Sequence, residues 1–278
     1  MPTNWVDVPE HLRCDIDIVA DPALGGDPQA CMLAWLEKEQ RPLAYTPHNG
    51  GHWVIFTHNL AHTVLCDAKS FGSFPIGVPA NHEQRPRLIP LESGPDEHRR
   101  YRRLLLPVFQ PDVVKKMESG IRAQTCAVLD AAAGKEKIDF LKDIAKPIPT
   151  QVFAEQMGLE AAMLPQFYEW ETGFYRASTL EERLACGQQI ALHLQQVVEQ
   201  HQKRSGSEDI VDLLLAAEVE GERLTPEEVQ GVAYLLFLAG IDTVASMLSF
   251  TILQLARNPH QYAQLHQNPE KVTASVDE

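Results

Sequence analysis

Residues 232–256 read VAYLLFLAGIDTVASMLSFTILQLA, an almost unbroken apolar run whose only charge, Asp242, sits in its middle. No other stretch constrains the fold as strongly. Just before it, Thr225-Pro226-Glu227-Glu228 offers a Thr N-cap, a Pro at the first helical position and a Glu placed to complete a capping box. Nothing interrupts the pattern before Arg257-Asn258-Pro259. The spacing therefore predicts a helix of about 30 residues, roughly 45 Å long at about 1.5 Å per residue. Because the run is apolar on every face, it is expected to be buried on all sides, in a large core or in a bilayer. Asp242, Gln254, several hydroxyls, the cap and the lack of a second such run favour the core.

A carboxylate inside a buried helix needs a reason, since an uncompensated one is costly enough to be paired, protonated or functional. Thr243 can turn its hydroxyl back to the carbonyl of residue 239 and bend the helix. Gly240 removes a side chain one turn earlier, at a cost of about 1 kcal/mol relative to Ala. Asp242, Thr243 and Gly240 together predict a polar notch with room for a small ligand. The same residues also describe a plain kink that eases close packing.

The remaining composition is that of an ordinary water-soluble protein, with 44% hydrophobic and 22% charged residues. A net charge of −14 disfavours nucleic acid and anionic membrane surfaces as partners. The N-terminus has neither a basic start nor an apolar core, so no secretory signal is expected there. Five scattered cysteines suggest free thiols in a reducing compartment, hence the cytoplasm.

Along the chain, Asp27-Pro28 caps a helix through about Glu39, and Asn49-Gly50-Gly51 between apolar runs marks a hairpin at 43–45 and 53–56. A helix is predicted over 59–68. His58 and His62 stand four apart there and could hold a metal from one face, but no third ligand or catalytic Glu accompanies them. They read as surface histidines. Residues 71–90 are too rich in Pro and Gly for regular structure, and a loop this long is functional, mobile or a plain surface connection. Pro95 opens a short helix in which His98 and Arg102 lie one above the other. Two cationic donors on one face suit a pair of carboxylates, although such a cluster is also an ordinary solvated helix face. Helices are expected over 112–132, 147–157, 164–176 and 180–203, a short strand over 138–140, a break near Ala177-Ser178, and helix starts at Asp209, Pro259 and Pro269.

Ala239-Gly240-Ile241-Asp242-Thr243 resembles the acid-alcohol signature in the long central helix of the cytochrome P-450 haem-thiolate monooxygenases. Val8-Pro9-Glu10-His11-Leu12, Asn49-Gly50-Gly51-His52-Trp53, Gly94-Pro95-Asp96-Glu97-His98 with Arg102, and Leu248-Ser249-Phe250 fall in the order and spacing of bacterial members near the camphor hydroxylase. The resemblance implies a mainly α fold of that family, with a long central helix and a small β-sheet near the N-terminus. It implies a haem cofactor gripped at its propionates by His98 and Arg102 and bordered by Ala239 and Gly240. Leu235, Leu238, Ala239 and Val244 would wall the substrate. Asp242 would relay protons, and Thr243 would steer them to the oxygen atom that leaves as water. Residues 71–90 would roof the pocket, and the helices at 164–176 and 180–203 would act as its lid. The expected partners are a small apolar, terpenoid-like substrate, O2 and a ferredoxin-type redox protein, which Arg99 and Arg103 could help to seat. Pro86 stands where the camphor enzyme has a hydrogen-bonding tyrosine, which argues against camphor itself.

The family continues beyond the equivalent of Glu278 into a Glu-x-x-Arg pair and a loop bearing the thiolate ligand. Cys14, Cys31, Cys66, Cys126 and Cys186 lack that loop's context. The expectation is one partial domain over 1–278, about two thirds of the enzyme, without its metal ligand and inactive alone. A haem-free helical binding protein, or a non-functional fragment, remains the alternative.

Overall fold

The computed structural model describes residues 5–79, 85–177, 179–203, 209–219 and 221–277. Contacts gather into two units, residues 1–99 and 100–278.

In the first unit, the Asp27 carboxylate accepts from the Ala30 amide and opens α1 (Pro28–Glu39). Strands β1 (Leu43–Thr46) and β2 (His52–Ile55) pair antiparallel, Leu43 opposite Ile55 and Thr46 opposite His52. The chain reverses through Asn49, Gly50 and Gly51, with φ of 56°, 87° and 82°, a left-handed run that needs glycine at its crowded end. At Gly51 any side chain would collide with the Tyr45 hydroxyl. Cys14, Ile16 and Ala44 form the core here, with Ile18, Trp35 and Phe56 packed on it. Helix α2 (His58–Cys66) follows, shorter than the predicted 59–68, with no fully buried residue. The described part of the long loop is irregular, as expected, and is anchored by Glu92, only 1% exposed. Its carboxylate accepts from the Ile76 and Leu88 amides and from both Nη atoms of Arg85, at 2.6 to 3.0 Å. The boundary between the units falls within α3 (Pro95–Leu105).

The second unit is helical: α4 (Pro111–Ala132), a π-turn at Leu141–Ala145, α5 (Pro147–Gln156), α6 (Leu164–Arg176) and α7 (Leu180–Lys203). Next come α8 (Ile210–Ala216), the two-residue strands β3 (Glu218–Val219) and β4 (Glu222–Arg223), α9 (Pro226–Gly240) and α10 (Asp242–Arg257). Helices α11 (Pro259–Gln267) and α12 (Val272–Asp277) complete it, the latter after a single 3-10 turn at Pro269–Lys271. No strand forms at 138–140. Asp139 accepts from the Lys142 amide while its own amide donates to Asp143, so those residues start a helical turn instead. Of the expected break near Ala177-Ser178, Ser178 lies outside the described residues.

The capping box at Thr225 and Glu228 is formed as the sequence predicts. The helix it begins, however, is neither continuous nor enclosed. It breaks at Ile241 (φ −98°, ψ −66°), where α9 ends and α10 starts. Val229, Val232, Ala233, Tyr234 and Phe237 are buried, with α7, α8 and α5 packed on α9. Beyond Ala245 the faces open: Met247 is 62% and Phe250 67% exposed. The expectation of burial on all sides is therefore corrected. Apolarity on every face states what a segment can bury, while burial depends on neighbours, and α10 touches mainly the 141–145 turn, α9 and α11, and α5 less. By length and composition Pro226–Arg257 could also cross a membrane, but the half bearing its cap is packed into protein.

Candidate active site

The α9–α10 break is where the polar residues meet. Thr243 Oγ1 donates to the Ala239 carbonyl at 2.5 Å, the back-bond expected from its position four residues on. Tyr175, from the last turn of α6, donates its hydroxyl to the Leu238 carbonyl at 2.8 Å. Two successive carbonyls at the end of α9 are thus held by side-chain hydroxyls, which stabilises the bend.

Asp242 is three-quarters buried and lies 3.7 Å from the Arg176 guanidinium through Oδ1, an atom with no hydrogen bond among the described residues. Behind it, Glu171 is 1% exposed and pairs through Oε2 with Lys146 Nζ at 3.1 Å, while Oε1 has no hydrogen-bond partner among the described residues. Lys146 also donates to Thr172. Burial pushes the Glu171 carboxyl above its ordinary range, the Asp242 charge adds to this, and Lys146 and Arg176 pull against it. Burial, with the Asp242 and Glu171 charges, likewise raises the Tyr175 phenol. The result is two acids and two cationic side chains gathered near the one interruption in the long helix, where Tyr175 holds the Leu238 carbonyl. Such a cluster can hold a proton and pass it along.

Spacing along the chain does not reveal Tyr175, Arg176, Glu171 or Lys146. One signal was present: Glu171 stands four residues after Phe167, itself only 2% exposed, and so lies on the buried side of α6.

The other expected residues divide by face. Leu235 and Leu238 are half-buried and Ala239 is exposed, within about two turns of Asp242. Gly240 and Val244 turn elsewhere. With Leu236 they line an apolar cavity of about 340 Å³ against Val114, Met117 and Ile121 of α4 and Val152 and Phe153 of α5. A Cβ at Gly240 would meet Phe153 at an ordinary 3.6 Å. The space beside Gly240 therefore opens toward α5, and Val244 lies apart from Leu235 and Leu238. His98 and Arg102 are exposed on α3 and make no ion pair among the described residues, whereas Arg99 pairs with Asp96 and Arg100 with Glu228. Of the loop over 71–90, Pro86 is among the described residues and 80–84 lie outside them.

The only grouping of three possible metal ligands among the described residues, His201, Asp209 and Asp212, is a helix cap. His201 hydrogen-bonds through Nδ1 to the Val197 carbonyl and through Nε2 to Asp209, which in turn accepts from the Asp212 amide and starts α8.

The family described as Cytochrome P450 matches residues 153–278. A probable cytochrome P450 127A1 from Sinorhizobium fredii is 32% identical over 264 residues, 92% of this chain and 63% of that protein. A linalool 8-monooxygenase from Pseudomonas putida is 25% identical, over 87% of this chain and 58% of its own length. The crystal structure of CYP101J2 superposes with a TM-score of 0.80 at 28% identity, covering 96% of this chain and 66% of that one. The chain belongs to the cytochrome P450 family and has its mainly helical fold with a small N-terminal sheet. It spans less than two thirds of the length of the relatives it matches.

Proposed function

We propose that this chain forms the N-terminal part of a haem-dependent monooxygenase that inserts one oxygen atom from O2 into a small apolar, terpenoid-like molecule. The observation that carries the reading is the Asp242–Thr243 pair at a helix break, with the Thr243 hydroxyl seated on the Ala239 carbonyl. The residues present suit a haem: His98 and Arg102 are exposed and make no ion pair among the described residues, which fits them to receive propionates.

Haem, when bound, supplies the activation of dioxygen. The chain supplies the proton handling around it. Asp242 takes a proton from the solvent side and gives it up at the break, its carboxylate steered by Arg176. With its hydrogen engaged at Ala239, the Thr243 oxygen acts as an acceptor and steadies a proton-bearing group beside it. Leu235 and Leu238 offer the apolar wall for the substrate. The linalool-oxidising relative supports the terpenoid class. A ferredoxin-type protein as electron donor and a cytoplasmic location complete the proposal, in keeping with the bacterial relatives.

The test joins this chain to the remaining third of a relative and compares it with the same protein carrying Thr243→Ala. Electron consumption should continue while product falls and peroxide rises. An unchanged product yield removes Thr243 from the mechanism.

A further inference from the structure

We propose that Glu228, the capping-box acid of α9, is a positioning residue for the propionate donor Arg102: by gripping Arg100 and Tyr101 it fixes the turn of α3 that carries Arg102. The inference rests on the haem reading above and gives a second task to a residue that the sequence explains as a local cap. Capping accounts for one carboxylate oxygen only. Glu228 Oε2 accepts from the Thr225 amide at 2.8 Å, as the capping box requires. Oε1 is turned to α3 instead, where it accepts from the Tyr101 hydroxyl at 2.6 Å and from Arg100 Nη1 at 3.1 Å.

Residues 100–105 of α3 and all of α9 belong to the same unit. Tyr101, Leu104 and Leu105 are buried, while Arg102 is exposed. Apolar burial holds this turn down but is non-directional, so a helix seated on leucines can roll. A donor that grips a carboxylate needs its aim held within about 10–20°. Hydrogen bonds supply that direction. Two adjacent residues converge on one oxygen of a carboxylate that the cap already fixes, and the Arg100 guanidinium lies over the Tyr101 ring, 5.3 Å from its centroid. Burial alone would raise the Glu228 carboxyl, but the bonds from Tyr101, the Thr225 amide and Arg100 outweigh it and hold it below its ordinary range. The grip is therefore charged at neutral pH. Glu222, also near Arg100, is 3.6 Å away and 77% exposed, too well solvated to replace it. The pairing sorts the charges as well: Glu228 neutralises Arg100, whereas Arg102 makes no ion pair among the described residues and is left to meet an incoming carboxylate.

Glu228→Gln tests this, because Gln still closes a capping box while its single oxygen cannot serve both Thr225 and α3. In the 278-residue chain, amide exchange should quicken at residues 100–105 and hold steady in α9. Unchanged exchange at 100–105 would overturn the proposal. In the joined protein described above, haem loss to an excess of apoglobin should be about tenfold faster for Arg102→Ala and about three- to tenfold faster for Glu228→Gln. The double variant should lose haem no faster than Arg102→Ala alone, since Glu228 acts through that side chain. Additive losses would overturn the proposal. Thr225→Ala weakens the α9 cap without removing the amide that Glu228 holds, so it should lower the urea midpoint and leave haem loss unchanged. Equal haem loss in Thr225→Ala and Glu228→Gln would reduce Glu228 to a structural role and overturn the proposal. If Arg102→Ala itself leaves haem loss unchanged, the haem reading of Arg102 fails and the proposal falls with it. A change in Arg102→Ala without one in Glu228→Gln overturns the proposal alone.

Discussion

Two glutamates, one in each unit, are each 1% exposed and are held in opposite ways. Glu92 receives four hydrogen bonds, two from backbone amides and two from one guanidinium. Burial alone would raise its carboxyl, but these donors outweigh burial and take it from 4.5 down to about 2. Glu171 has one cationic partner, one bare oxygen and a second carboxylate nearby, and its carboxyl is pushed up. A buried carboxylate with every lone pair engaged acts as a structural clamp. One left half-satisfied is poised to change its protonation state. The clamp shapes the long Pro-rich loop, and the poised acid stands behind the break in the central helix.

The contrast can be broken most severely at Glu92. Glu92→Gln leaves the Arg85 side chain, 7% exposed, without a counter-charge and sets an amide NH2 against donors. A loss of about 3–5 kcal/mol is expected in urea unfolding. A loss below about 1 kcal/mol would mean that the clamp does not hold the loop. Acid titration should show the next largest effect. Because the folded value of Glu92 lies below the unfolded one, its contribution is full above pH 4.5 and is lost as the pH falls toward about 2. The amount is on the order of 3 kcal/mol. Glu171 has the reverse sign, since its raised carboxyl favours folding below the usual carboxylate range and loses that contribution as the pH rises. Unfolding midpoints from pH 2 to 7 for Glu92→Gln and Glu171→Gln should therefore diverge from the unsubstituted chain in opposite directions.

Tyr175→Phe removes the hydroxyl that holds the Leu238 carbonyl and should cost about 1 kcal/mol in thermal unfolding. A change near zero would show that the break holds without α6. The smallest effect is expected from Lys146→Met combined with Glu171→Leu. Replacing a buried ion pair by apolar side chains of similar size should be nearly neutral, within about 1 kcal/mol, although Lys146→Met alone is costly. A large loss in the double variant would make this pair a clamp like Glu92 and erase the distinction.

Much of this was legible in the chain because it is local. The Asp27, Asp209 and Thr225 caps, the Asn49-Gly50-Gly51 reversal and the Thr243 back-bond each depend on residues within four positions of one another. The strand at 138–140 was misread because three apolar-flanked residues do not disclose that Asp139 and Asp143 would tie them into a turn. The partners of Asp242 were invisible for another reason: Arg176 and Asp242 are brought together across 66 positions where the last turn of α6 reaches the α9–α10 break, and no periodicity records that.

By itself the sequence determined where helices start and stop, that a carboxylate and an alcohol interrupt the longest one, and which family the motifs resemble. Those properties follow from backbone sterics, caps and side-chain spacing within a turn or two. Tertiary structure alone decided that α9 is enclosed while much of α10 is open, that Gly240 faces α5, and that Glu171 and Glu92 titrate in opposite directions. Burial and electrostatic environment are properties of neighbours distant in the chain, and only packing selects them.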